Sequence, residues 1–88
     1  MIDSTDAELS ERLQDLLAGF ERAYTWHVAP YPKHEFGRVL RITLFSGDLA
    51  VSHLVSRRQL DSMTISLWDF ADLRARVMVS ELRRGWRD

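Results

Sequence analysis

The apolar residues near the carboxy terminus recur at helical spacing and predict one long helix from Leu67 to Arg84. At about 100° per residue, one stripe of this helix is apolar and consists of Leu67, Ala71, Ala75, Met78 and Leu82. The stripe is widened on one side by Phe70, Leu73 and Val77, and on the other by Trp68 and Val79. Because so broad an apolar belt exceeds what one packing surface covers, we expect part of it to face a second chain.

The amino-terminal quarter of the chain predicts a second, one-sided helix. Thr5 followed by Glu8 has the form of a capping box, in which each side chain bonds to the backbone N–H of the other residue. Apolar residues then recur along one stripe, namely Leu9, Leu13, Leu16, Leu17, Phe20 and Tyr24. For the last helix, Ser66 with Asp69 predicts the start, and Gly85 predicts an end in the left-handed conformation.

Alternating apolar and polar positions between these helices predict three strands. The predicted strands are Thr25 to Ala29, Arg38 to Phe45 and Leu49 to Val55. Pro30 and Pro32 are expected to end the first strand, because proline lacks the N–H that a strand ladder needs. An even-numbered loop around Gly47 matches apolar faces across the hairpin, with Leu49, Val51, His53 and Val55 opposite Leu44, Ile42 and Leu40.

The predicted element order is α-β-β-β-(short α)-α, in which Ser56 caps a short helical turn that runs through Ser62. We therefore expect one small α+β domain over residues 1–88. Its two layers are a three-stranded antiparallel meander and two long helices packed on one face of that sheet. No repeat, linker or low-complexity segment divides the chain.

Composition narrows the function classes. The chain has no cysteine, which excludes disulfides, thiolate metal sites and a cysteine nucleophile. Its net charge of −1 gives no global field that favours nucleic acid or membrane surfaces. The first ten residues are acidic and polar, unlike a targeting segment, and no apolar run approaches the roughly 20 residues of a membrane span. We expect a cytoplasmic protein that does not bind membranes.

Neither a catalytic site nor a metal site is expected. His27, His34 and His53 are far apart in the chain, unlike the short-range ligand pairs of zinc motifs, and would meet only if the first and third strands were neighbours. Ser56 and Ser66 have capping roles, and the isolated glycines form no phosphate-binding loop, so no enzyme activity and no cofactor are predicted. His53, on the core face, is expected to bond to the backbone or to a buried carboxylate.

Arginine accounts for eleven of the twelve basic residues, and two interpretations stay open. A GC-rich genome raises arginine content, or the arginines form a contact surface. The alternative function is nucleic-acid binding through Arg57, Arg58, Arg83, Arg84 and Arg87. The α-β-β-β-α order is similar to that of double-stranded RNA-binding domains, in topology only, because the last helix begins without the lysines typical of that family.

The leading hypothesis is a non-catalytic protein-interaction domain, an inhibitor or adaptor of the kind found among accessory proteins of bacteria and phages. It would bind a protein partner of unknown identity, and a second copy of itself as a homodimer, through the last helix. The expected interface residues are Trp68, Leu73, Arg74, Val77, Val79, Glu81 and Trp86. In an antiparallel helix pair about a two-fold axis, Arg74 would approach Glu81 of the second copy. Alternatively, both side chains only extend along the apolar surface toward water.

Overall fold

A computed structural model of the chain describes residues 5–31 and 38–85. The elements in these residues are α1 (Asp6–Phe20), β1 (Thr25–Tyr31), β2 (Val39–Ser46), β3 (Leu49–Ser56), α2 (Arg57–Ser62) and α3 (Leu67–Arg83). The strands form one antiparallel sheet in the order β1-β2-β3. Both long helices pack on the same face of this sheet. The predicted α+β fold is confirmed: a three-stranded meander, which lies between the two long helices in chain order, has both helices on one face.

Both long helices begin at the predicted caps. The Thr5 hydroxyl accepts a bond from the Glu8 N–H at 3.1 Å, and the Glu8 carboxylate accepts one from the Thr5 N–H at 3.0 Å. The Ser66 hydroxyl accepts a bond from the Asp69 N–H at 3.0 Å. The last helix ends one residue earlier than predicted, and Gly85 follows it with φ +63°, the left-handed conformation that closes many helices.

The hairpin of β2 and β3 has the predicted register. Ser46 pairs with Leu49 across a two-residue loop, in which Gly47 has φ +59°. On the core face, Leu44, Ile42 and Leu40 lie opposite Val51, His53 and Val55. Two-residue hairpin loops favour glycine at such a position because a side chain there would be strained.

The first strand is longer than predicted. It continues through Pro30, which pairs with Leu40, and ends at Tyr31 rather than at Ala29. The expectation that the prolines end this strand at Ala29 is therefore wrong. The physical reason is that β1 lies at the edge of the sheet, where alternate N–H groups point to solvent and a missing donor breaks no ladder bond. Pro32 lies outside the described residues.

The core lies between the sheet and the two long helices. Three leucines of α1 are fully buried there, Leu9, Leu13 and Leu17. The inward side of α3 contributes Phe70, Ala71, Ala75, Met78, Val79 and Leu82. Burying each large side chain of this kind stabilises the fold by roughly 1.5–3 kcal/mol. Among the described helices, none combines the length and the apolar composition that crossing a bilayer requires.

Candidate protein-binding surface on α3

One side of α3 leaves large apolar side chains in solvent. Leu73 is 53% exposed and Val77, one helical turn later, is 49% exposed. Ile65, in the segment between α2 and α3, is 41% exposed and lines the same groove as these two residues. We call Ile65, Leu73 and Val77 the α3 strip. Because residues four apart lie on one side of a helix, Leu73 and Val77 point in one direction, and Ile65 lines the same groove.

The groove beside the α3 strip is open and runs between α2 and α3. It has a volume of about 370 Å³, and its further lining residues are Gln59, Met63, Phe70 and Arg74. Gln59 lies on α2 and Met63 directly follows that helix, so these two residues line the groove from the α2 side. A site that is open along its length suits side chains of a partner protein better than a small molecule that must be enclosed.

Arg74 is the one ionisable side chain among the described residues that line this groove. Its guanidinium carbon lies 5.1 Å from the centre of the Phe70 ring, and its Nη1 lies 2.9 Å from Nδ1 of His53. Burial lowers the pKa of Arg74, and the nearby charge of Glu81 opposes that shift. The guanidinium is thus half-buried and held between an aromatic ring and an imidazole.

His53 connects Arg74 to Glu81. Its Nε2 lies 2.6 Å from Oε1 of Glu81, on the face of β3 that packs against α3. A guanidinium can only donate hydrogen bonds, so Nδ1 of His53 accepts the bond from Arg74. The ring proton therefore lies on Nε2 and is donated to the Glu81 carboxylate. Of the two partners predicted for His53, the backbone or a carboxylate, the structure shows a carboxylate, that of Glu81.

Arg74 and Glu81 therefore share a partner within the chain. The sequence does not show this arrangement, because His53 is separated from Arg74 by 21 positions and from Glu81 by 28. Contact between Arg74 and Glu81 of a second copy stays a prediction. In such a contact the second copy would compete with His53 for both side chains.

The opposite flank of α3, formed by Trp68 and Val79, is covered at Val79 but not at Trp68. Val79 was predicted at the interface, but it is 5% exposed and belongs to the core, so it does not contribute to an exposed surface. The reason is that α1 packs beside α3 on the sheet. Trp68 remains 54% exposed, although its ring packs edge to face on Phe20 of α1 with centroids 4.9 Å apart. Trp86, the last predicted interface residue, lies outside the described residues.

Arg57, one of the predicted nucleic-acid contacts, is a buried structural residue. Its Nη1 donates to Asp6 at 2.9 Å, and its Nε donates to Asp61 at 3.2 Å. Asp6 also accepts bonds from Arg38 at 2.9 and 2.6 Å. The buried charge of Arg57 thus has two carboxylates in place of water, which ties α2 to the start of α1.

The described arginines of the nucleic-acid hypothesis lie at two ends of the molecule. Arg57 and Arg58 begin α2, directly after the end of β3. Arg83 donates to the hydroxyl of Tyr24, which directly precedes β1, and the exposed Arg84 follows it. In this meander the start of β1 and the end of β3 lie at opposite ends of the sheet, roughly 20 Å apart. Arg87 lies outside the described residues.

The histidines do not converge. His27 pairs with Thr43 on the open face of the sheet, whereas His53 pairs with Ile42 on the core face, with β2 between their strands. His34 lies outside the described residues. Within residues 5–31 and 38–85, no group of three or more histidine, aspartate or glutamate side chains is placed to hold a metal ion.

The open face of the sheet carries a second, smaller set of exposed apolar residues. Phe45 is 40% exposed and Leu54 is 49% exposed. Hydroxyl groups of Thr43 and Ser52, 3.1 Å apart, lie between them, so these two side chains do not form a continuous apolar surface.

Leu73, Arg74 and Val77 are therefore the predicted interface residues that the fold brings to one accessible groove. Ile65 was not among the predicted residues, and its spacing from the helix gives no signal of its position. Comparisons with protein-family models, with curated proteins and with solved structures find no match to this chain.

Proposed function

We propose that this chain is a protein-interaction domain without a catalytic role, which binds another protein through the α3 strip and the groove beside it. The observation that supports the proposal is the contrast between the two sides of α3. Ala71, Ala75 and Met78 are fully buried, whereas Leu73 and Val77 on the same helix are half exposed. Large apolar side chains gathered beside an open groove are a common feature of protein-binding surfaces.

The size of the α3 strip limits how strongly a second copy would bind there. Burying the strip on two copies removes on the order of 500 Å² of apolar surface, worth about 12 kcal/mol gross at 25 cal/mol/Å². Association costs about 4–15 kcal/mol in lost freedom of motion. Apolar contact alone therefore gives weak association, and a stable complex needs polar contacts beside the strip.

A differential capture experiment tests the proposal. The wild-type protein, a Leu73→Ala/Val77→Ala variant and a matched Phe45→Ala/Leu54→Ala control are immobilised and exposed to extract of the source cells. The control removes apolar side chains of similar exposure from the opposite side of the molecule. We expect that one or more proteins are retained in equal amounts by the wild type and the control. The α3 variant should retain about tenfold less of them, as measured by quantitative mass spectrometry. Equal retention by all three proteins would contradict the proposal.

Self-association is tested separately by sedimentation equilibrium. If the partner is a second copy, the mean mass of the wild type rises with concentration up to about 1 mM, and that of the Leu73→Ala/Val77→Ala variant does not. A wild type that remains monomeric over this range removes the homodimer from the proposal and leaves binding to a different protein.

A further inference from the structure

We infer that the groove beside the α3 strip takes an acidic amphipathic segment of a partner protein, whose carboxylate binds Arg74 and whose apolar side chains cover the strip. This inference rests on the proposed function and names the chemistry of the partner. It depends on the hydrogen bonding of Arg74, on how that side chain is held, and on the charges of the groove.

Arg74 has N–H groups that form no hydrogen bond with the described residues. Within the described residues its one hydrogen bond is the bond from Nη1 to His53, and it forms no ion pair within 4 Å. Glu81, whose charge acts on Arg74, is bonded to the other nitrogen of the His53 ring. A half-buried guanidinium has lost part of its water, so a carboxylate that accepts its remaining N–H groups replaces solvation that the fold removes.

The position of Arg74 is set before any partner arrives. The His53 ring holds Nη1, and the Phe70 ring lies under the guanidinium. His53 is in turn held by Glu81 at 2.6 Å. Because the side chain is already ordered, binding a carboxylate costs less conformational entropy than it would at a free surface arginine.

The surroundings of Arg74 favour one carboxylate between apolar groups. The apolar residues that line the groove are Met63, Ile65, Phe70, Leu73 and Val77, and Gln59 is the one uncharged polar residue among the lining residues described. A nucleic-acid backbone carries a row of phosphates and binds to rows of cations, which this groove lacks in the described residues. An amphipathic helix carries apolar residues three or four positions on either side of an acidic one, which matches this groove.

A second copy of the chain fits less well, because two of the three carboxylates of α3, Asp72 and Glu81, already have partners, and Asp69 alone is left exposed and without one in the described residues. Asp72 accepts bonds from Arg76 at 3.1 and 3.2 Å, and Glu81 accepts one from His53. Both would have to leave these contacts in order to reach Arg74 of another copy. We therefore assign the groove to a different protein.

A display selection tests the inference. A library of randomised helical peptides is selected for binding to the wild-type protein, and enriched peptides are measured against Arg74→Gln and Arg74→Met. The methionine variant keeps an unbranched side chain over Phe70 if the glutamine variant folds poorly. Arg76→Gln is the matched control, since Arg76 is an exposed arginine of the same helix that does not line this groove. Circular dichroism establishes that each variant is folded.

We expect enriched peptides to carry aspartate or glutamate with apolar residues three or four positions away. Replacing Arg74 should weaken their binding about tenfold or more, and the Arg76 control should change it by less than about twofold. Changing the peptide's acidic residue to its amide should have no further effect on the Arg74 variants, because the two changes remove one shared contact.

Three results would overturn the inference. If the peptides bind Arg74→Gln as well as wild type but need Leu73 and Val77, the carboxylate contact is refuted and the proposed function stands. If binding depends on neither Arg74 nor the α3 strip, both proposals fail. If sedimentation shows a wild-type dimer that Arg74→Gln dissociates, the occupant is a second copy.

Discussion

Two charged contacts between distant residues hold the elements of this protein in place. Asp6 of α1 binds the buried Arg57 of α2 and also Arg38, which directly precedes β2. His53 of β3 binds Arg74 and Glu81 of α3. A buried charge is tolerated only when hydrogen-bonded partners replace its water, and each of these contacts meets that condition.

The contact at Asp6 predicts an acid-sensitive contribution to stability. Hydrogen bonds and charges of Arg38 and Arg57 lower the pKa of Asp6, and burial opposes them. Since the folded pKa lies below the unfolded one, this contribution is present at neutral pH and is lost as the pH falls through the folded value. Asp6→Asn should cost about 1–2 kcal/mol at pH 7 and decline less steeply than wild type below about pH 4, by urea denaturation. Parallel curves for the two proteins would contradict this account.

The bond from Arg74 predicts the tautomer of His53. Because Nδ1 accepts from a guanidinium, the neutral ring must carry its proton on Nε2. Long-range proton–nitrogen NMR spectra at neutral pH should show this tautomer in the wild type, and a mixture of tautomers once Arg74→Met and Glu81→Ala remove both partners. A wild-type ring protonated on Nδ1 alone would refute the arrangement.

At the scale of elements, the sequence predicts the features that depend on residues close together in the chain. The caps at Thr5 and Ser66 and the turn at Gly47 each depend on residues within a few positions of one another, and all three are confirmed. The length of β1 depends on its place at the edge of the sheet, which sequence spacing does not contain. For this reason the proline pattern predicts an end at Ala29, whereas the strand continues through Pro30 to Tyr31.

Two glycines give a matched test of the hairpin turn. A Cβ added at Gly47 or at Gly19 meets no atom within 4 Å, so substitution reports backbone conformation rather than packing. Gly47 has φ +59°, and alanine there should lower the free energy of unfolding by about 1 kcal/mol. Gly19 lies in α1, where alanine should raise it by about 0.5–1 kcal/mol. Thermal denaturation measures both, and a Gly47→Ala variant that is as stable as wild type or more stable would refute the assigned turn.

At the scale of the whole molecule, α3 has more apolar surface than this fold buries. The sequence predicted the breadth of that surface but not which flank stays exposed, because that depends on where α1 packs. Val79 is buried and Leu73 is exposed, although both were expected at an interface. The candidate site was thus predicted in part: Arg74 is among the predicted interface residues, but the contact with His53 that holds its guanidinium is not predicted from the sequence.

The central claim is that Leu73 and Val77 serve binding and are not needed for folding. The most direct measurement compares the free energy of unfolding of wild type, Leu73→Ala/Val77→Ala and Val79→Ala by chemical denaturation. We predict that the double variant stays within about 1 kcal/mol of wild type, because both side chains are half exposed and alanine favours the helix. Val79→Ala, which opens a gap in the core, should lose about 2 kcal/mol. A double variant that loses more than Val79→Ala would show that the α3 strip is part of the folded core and would contradict the account.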